Sequence, residues 1–142
     1  MFELRKLELR DLNDIERIER ESYPTPWSRS MFAGELAKPS SLSLGAFDPD
    51  TGVLVGYLVI SRYVDAWHVM NVAVTGEYRR RGIARALLER LFVVTSSDER
   101  RRGLVAGRLQ AEDHPASACS ASAFWSGMGS RHMISASSRL SV

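Results

Sequence analysis

The spacing of hydrophobic positions predicts a chain that opens with a strand and two helices. Apolar residues alternate with charges in the first strand, at Phe2, Leu4, Leu7 and Leu9. They then follow helical spacing from Leu12 through Ile15, Ile18 and Glu19, with Asp11 placed as the N-cap. Two prolines within residues 23–27 forbid its continuation, so we expect this helix to end before Tyr23. Ser28 is placed to cap a second helix that stops near Pro39.

The middle of the chain favours strands of one sheet. Residues 41–47 and 53–63 are rich in β-branched, aliphatic and aromatic residues, and the turn between them contains Pro and Gly. Gly56 inside the second of these strands indicates a bulge. Residues 65–75 form a third strand, and residues 82–94 form a helix with one apolar face. The predicted fold class is therefore α/β, a mixed sheet flanked by helices.

The amino-acid composition limits the classes of protein to which this chain can belong. A chain of 142 residues suits a single domain over residues 1–142, and 44% hydrophobic with 25% charged residues is typical of globular proteins. Its one cysteine, Cys119, cannot form an intramolecular disulfide, which excludes a disulfide scaffold. No apolar run approaches the roughly 20 residues of a membrane span, and no signal-peptide pattern is present. We expect a cytoplasmic protein without membrane or metal partners.

The clearest chemical signal lies at residues 72–85, where a strand, a short loop and a helix follow one another. Gly82 and Ala84 are small, so the first backbone N–H groups of the helix are free to bind an anion. The arginines at residues 79–81 add positive charge. A solvated turn is the alternative for an arginine run alone, but the whole junction favours a pyrophosphate site. Walker A and Rossmann loops do not fit, because their Gly-Lys-Ser/Thr and triple-glycine patterns are absent.

The pattern Arg79-x-x-Gly82-x-Ala84 resembles the coenzyme A pyrophosphate loop of the GNAT acetyltransferases. The resemblance implies a GNAT-like, mostly antiparallel mixed sheet flanked by helices, with acetyl-CoA as cosubstrate. It also implies a splayed strand whose backbone pairs with the pantetheine arm of the coenzyme. The coenzyme-binding residues implied in this way are Val72, Ala73, Val74, Arg79, Arg80, Arg81, Gly82, Ile83, Ala84 and Arg85.

A second segment resembles the bacterial ribosomal-protein-alanine N-acetyltransferases. The similarity lies in residues 18–28, around Pro-Thr-Pro-Trp, and in Asn-Val-Ala-Val at residues 71–74. It implies acetylation of the α-amino group of an alanine-starting protein, with a small-subunit ribosomal protein as partner. The substrate-binding residues implied in this way are Tyr23, Pro26, Trp27 and Asn71. The alternative for the proline-flanked aromatics is that they only close a helix and pack on the core.

Acetyl transfer needs a base for the amine proton and an acid for the leaving thiolate. The subgroup pattern implies a Glu base, but Gln110 stands at that position and Glu112 is the nearby carboxylate that could replace it. The alternative for Glu112 is a solvated loop acid. Ser122 or, with a small insertion, Trp125 stands where the pattern implies a Tyr acid. His114 and His132 are possible acids by their chemistry, with a structural or exposed histidine as the alternative, and the catalytic candidate is Glu112.

The family-like part extends to about residues 95–103, and residues 104–142 form an atypical tail rich in Ser and Ala. We hypothesise that a reading-frame change between about residues 95 and 109 produced this tail, which the other frames of the coding DNA would test. A divergent family tail is the alternative. Two other functions stay open: a catalytically impaired acyl-CoA-binding module of the same fold, and a nucleic-acid-binding module. The net charge of +2 disfavours the latter, so we expect no nucleic-acid partner.

Overall fold

The computed structural model describes residues 1–63, 66–102, 134–136 and 140–141, and its elements follow the predicted order. The helices and strands are β1 (Glu3–Lys6), α1 (Leu12–Ser22), α2 (Arg29–Ala37), β2 (Ser41–Phe47), β3 (Leu54–Tyr63), β4 (Ala66–Val74), α3 (Ile83–Arg102), β5 (Ile134–Ala136) and β6 (Leu140–Ser141). Short 3-10 helices at Leu9–Asp11 and Gly76–Tyr78 precede α1 and α3.

Within this part of the chain, all six strands belong to one sheet. Strands β1 to β4 pair in sequence order and antiparallel. Short connections join β2 to β3 and β3 to β4, as in hairpins, whereas α1 and α2 lie between β1 and β2. Strands β5 and β6 both pair with β4 in parallel, on its other edge. The predicted α/β class and the mixed, mostly antiparallel GNAT-like sheet are confirmed.

The core lies on both faces of the sheet, because alternate side chains of each strand point to opposite faces. One face packs against α3, in a cluster that includes Leu58, Val72 and Leu87. The other face packs against α1 and α2, in a cluster that includes Ile18 and Tyr57. This explains why the middle strands read as nearly continuous apolar runs: both of their faces are buried.

Two bulges adjust the registers of β3. The pairing with β2 shifts between Ala46 and Phe47, which leaves Val55 as the extra residue beside Gly56 and agrees with the bulge predicted there. The pairing with β4 shifts between Val59 and Ile60, which leaves Met70 as the extra residue of β4. The second bulge was not predicted.

Two helix predictions need correction. Asp11 precedes α1, but its side chain makes no capping bond to that helix. Its carboxylate instead accepts the Glu8 N–H at 2.8 Å and pairs with the Arg5 guanidinium at 2.8 Å. Helix α3 was predicted to end at residue 94, its last apolar residue, but it continues to Arg102. Neither Gly nor Pro interrupts the helix before residue 103, and the Thr95 hydroxyl donates to the Leu91 carbonyl within it.

Candidate functional site

The loop between β4 and α3 turns sharply before the N-terminus of the helix. Arg80 and Gly82 both have left-handed backbone, with φ of 62° and 79°, whereas Arg79 has φ of −64°. These two left-handed positions turn the extended chain after Arg79 into the N-terminus of α3. The first bond of α3 runs from the Ala86 N–H to the Gly82 carbonyl at 2.9 Å, so the N–H groups between them have no acceptor within the helix.

A cavity of about 170 Å³ opens at this loop. Its lining residues are Val74, Tyr78, Arg79, Arg80, Gly82, Ile83, Ala84 and Arg85. Seven of these eight residues belong to the set that the sequence predicted to hold the coenzyme, and the structure brings them together around one concave surface. The eighth, Tyr78, was missed because it lies in the 3-10 helix before the motif.

The three arginines of the loop differ in their surroundings. The Arg79 Nε donates to the Val74 carbonyl at 2.9 Å and its Nη2 to the Ser22 hydroxyl at 3.3 Å, so Arg79 ties the loop to β4 and to the end of α1. The Arg81 guanidinium lies 5.0 Å from the centre of the Tyr78 ring, and both Arg80 and Arg81 are exposed. Two of the three predicted cations therefore lie on the solvent side, where an anion could meet them.

Two carboxylates from other elements anchor the loop, and neither was predicted. Glu21 accepts the Gly76 N–H at 2.6 Å and the Thr75 hydroxyl at 2.9 Å. The Gly76 N–H bond lowers the pKa of Glu21 below its ordinary value, against a smaller opposing effect of desolvation. Asp48 accepts the Tyr78 hydroxyl at 2.7 Å, which lowers the pKa of Asp48 and raises that of Tyr78. No spacing along the chain signals these contacts.

We expect Glu21→Gln to destabilise the protein at neutral pH and much less in acid. A carboxyl group whose pKa is lowered by folding stabilises the fold above its unfolded pKa of about 4.3, and that stability is lost as the pH falls through its folded pKa. The difference in melting temperature between wild type and variant should therefore shrink from pH 7 to pH 3. Glu16→Gln, on the same helix in a half-buried ion pair with Arg29, is the control. A difference that stays constant with pH would contradict the role of the ionised carboxylate.

The predicted acceptor-binding loop, residues 23–27, lies against β4. The Tyr23 hydroxyl donates to the Val72 carbonyl at 2.5 Å, and the Trp27 ring packs 5.3 Å from Phe32. Tyr23 and Trp27 are half-buried and Pro26 is exposed. The structure thus places the predicted acceptor loop directly beside the predicted coenzyme strand.

Asn71 does not lie on an open surface. Its side chain is fully buried, and its Nδ2 donates to Glu19 Oε2 at 2.9 Å. Its Oδ1 has no hydrogen-bond partner in the described part of the chain. The resemblance placed Asn71 at the acceptor, but here it lies within the core between β4 and α1. Glu19, which the sequence singled out only as part of the inward helix face, is the missed member of this region.

The outer edge of β4 is not open along its whole length. The Val72 and Ala73 positions pair in parallel with Leu140 and Ser141 of β6. A sheet edge presents unpaired N–H and C=O groups that a further strand can satisfy. The resemblance implies that the edge of β4 binds the pantetheine arm, but in this structure β6 occupies that edge at Val72 and Ala73.

Several predictions lie outside the described residues. These concern the catalytic candidate Glu112 and the compared positions Gln110, Ser122 and Trp125. In the described ranges, no three His, Cys, Asp or Glu residues are grouped so that they could hold a metal ion. No helix within those ranges is both long and apolar enough to cross a membrane.

Comparison with known proteins agrees with this geometry. The acetyltransferase (GNAT) family model matches residues 12–97. An uncharacterized N-acetyltransferase of Methanocaldococcus jannaschii is 35% identical over 89 residues, which are 62% of this chain and only 55% of that relative.

Solved structures share the fold. The ribosomal-protein-S18-alanine N-acetyltransferase of Escherichia coli is 26% identical, with a TM-score of 0.69 over 91% of this chain and 77% of that one. The PaiA N-acetyltransferase of Thermoplasma acidophilum, solved with coenzyme A, is 20% identical, with a TM-score of 0.67 over 89% and 88% of the two chains. The loop, the sheet and the family model agree, and the chain therefore belongs to the GNAT acetyltransferase family.

Proposed function

We propose that the chain is an N-terminal protein acetyltransferase that moves the acetyl group of acetyl-CoA to the α-amino group of an alanine-starting ribosomal protein. Acetyl-CoA is the cosubstrate. The observation that carries the proposal is the loop of left-handed Arg80 and Gly82 at the N-terminus of α3. The similarity to the Escherichia coli enzyme for ribosomal protein S18 supports the choice of acceptor.

The pyrophosphate of the coenzyme is assigned to this loop. Its backbone N–H groups supply donors, the N-terminus of α3 favours negative charge, and the exposed Arg80 and Arg81 supply cations. Arg79 acts by holding the loop on Val74 and Ser22. The other coenzyme-binding residues in the proposal are Val72, Ala73, Val74, Gly82, Ile83, Ala84 and Arg85. The pantetheine arm is assigned to β4, where it would take the place of β6.

The chemistry favours a protein N-terminus over a lysine as acceptor. The amine must be neutral to attack the thioester carbonyl, and an α-amino group has a pKa of about 7.7–8.0 against about 10.4 for lysine. In the reaction the new C–N bond forms, the C–S bond breaks, the amine loses a proton and the coenzyme leaves as its thiol. We assign the removal of the amine proton to Glu112. Tyr23, Pro26 and Trp27 are assigned to the border of the acceptor site, with Asn71 beneath them.

The test is an acetylation assay with an alanine-starting peptide. We expect the peptide to gain one acetyl group by mass spectrometry when its α-amine is free and none when that amine is blocked. Glu112→Gln should reduce the rate by about 100-fold or more, because a general base typically contributes about 10²–10⁴-fold. Binding of acetyl-CoA without any transfer would instead support the acyl-CoA-binding module. Full activity of the Glu112 variant would refute the assignment of the base but not the acetyltransferase.

A further inference from the structure

We infer that Glu19 is a positioning residue that couples the acceptor loop, residues 23–27, to the coenzyme strand β4. The inference rests on the proposed function, because that proposal assigns these two segments to the two substrates. It is carried by one fully buried carboxylate that accepts hydrogen bonds from three separate elements.

The carboxylate of Glu19 sits where the three elements meet. Its Oε1 accepts the Trp27 backbone N–H at 2.8 Å. Its Oε2 accepts the Tyr57 hydroxyl from β3 and the Asn71 Nδ2 from β4, the latter at 2.9 Å. A single side chain of α1 therefore holds the end of the acceptor loop and the middle of the coenzyme strand at the same time.

Packing alone does not explain an acid at this position. The other inward residues of α1 are apolar, namely Leu12, Ile15 and Ile18. Glu19 is 0% exposed, and burying a polar group is costly unless hydrogen bonds compensate it. The position of Glu19 therefore favours orientation of its partners over simple core filling.

Asn71 is the residue of β4 that Glu19 contacts. The Asn71 amide directs its Nδ2 toward Glu19 Oε2, and its Oδ1 has no hydrogen-bond partner in the described part of the chain. The next strand residue, Val72, receives the Tyr23 hydroxyl at 2.5 Å. The loop is thus joined to two consecutive residues of β4, directly after the bulge residue Met70.

Coupling follows from these shared contacts. A ligand that orders β4 around residues 71–74 also fixes Asn71 and Val72, and so reduces the conformational freedom of the loop bound to them. A second ligand then meets a loop that is already ordered, which gives positive coupling without a large change of structure. Acetyl-CoA bound first would prepare the loop for the acceptor, and Glu19 would carry that effect.

Hydrogen exchange of the backbone amides of residues 23–28, with and without saturating acetyl-CoA, tests the inference. We expect acetyl-CoA to slow the exchange of the Trp27 amide by at least about fivefold in the wild type, the low end of usual allosteric coupling. Glu19→Gln places an amide group among hydrogen-bond donors. In this variant, acetyl-CoA should slow the exchange of the Trp27 amide by less than about twofold. Asn71→Ala, which leaves the Glu19–Trp27 bond in place, should do the same. Glu16→Gln, an identical change on the same helix, should behave as wild type.

Two results would overturn the inference. One is an acetyl-CoA-dependent protection that persists in Glu19→Gln and Asn71→Ala. The other is faster exchange in the variants by the same factor with and without acetyl-CoA, which is the mark of a purely structural residue. If Glu19→Gln does not fold, the exchange of the Trp27 amide in Asn71→Ala tests the inference by itself. No acceptor peptide is used, so a failure to acetylate alanine-starting peptides would refute the proposed function and leave this measurement intact.

Discussion

Replacing Gly82 by alanine weakens acetyl-CoA binding by about tenfold or more, which corresponds to about 1.4 kcal/mol. Gly82 has φ of 79°, a conformation that costs a non-glycine residue on the order of 1–2 kcal/mol. An added Cβ would meet no protein atom within 4 Å, so the cost comes from the backbone and not from crowding. A loop that relaxes to avoid this strain no longer directs its N–H groups toward a single anion. Isothermal titration of acetyl-CoA measures the effect.

Gly52 supplies a matched control for this experiment. It lies in the turn between β2 and β3 with φ of 71°, and an added Cβ there also meets nothing within 4 Å. Gly52→Ala should therefore carry a similar backbone strain and a similar loss of melting temperature, but leave the affinity for acetyl-CoA unchanged. Equal losses of affinity in the two variants would mean that general destabilisation, and not the loop, governs binding.

Replacing Leu87 by alanine should lower the melting temperature by about 6–15 °C. Leu87 is 0% exposed and lies where α3 packs on the sheet. A buried Leu→Ala change costs about 2–5 kcal/mol, since it removes apolar contact and leaves a cavity. For a domain of this size, each kcal/mol shifts the midpoint by roughly 3 °C.

Val93 on the same helix provides the comparison, because its side chain is 59% exposed. Val93→Ala should shift the midpoint by less than about 2 °C, as is usual for surface substitutions. Thermal melts followed by circular dichroism would show both transitions. Similar midpoints for the two variants would contradict the packing of α3 described above, and with it the support for the loop that precedes this helix.

Local signals made much of this fold predictable. The Ser28 hydroxyl accepts the Met31 N–H at 3.3 Å and α2 begins at Arg29, as the capping pattern predicted. The bounds of β2 match residues 41–47, since a turn with Pro and Gly follows the strand directly. The loop proposed to bind the coenzyme could be located because its signals, a strand, arginines and small residues before a helix, are contiguous in the chain.

Contacts between distant residues were not predictable in the same way. The bond between Glu19 and Asn71 joins positions 52 residues apart, and the bond between Glu21 and Gly76 joins positions 55 apart. Neither pair has a signature in spacing or composition. The resemblance identified Asn71 by its place in a motif, but a motif does not report burial, so its enclosed position came only from the structure.

The bulge at Met70 determines what a one-residue deletion in β4 would change. Trp67 and Val69 pack on the α3 side with Val72 and Val74, although the stretch between Val69 and Val72 holds one residue too many for strict alternation. Deleting Met70 would restore that alternation but remove the apolar contact that Met70 makes with the α1 and α2 side of the core. The extra residue Met70 bends β4 locally beside Asn71. Without it, β4 would lose this bend, and its outer edge would point in a different direction.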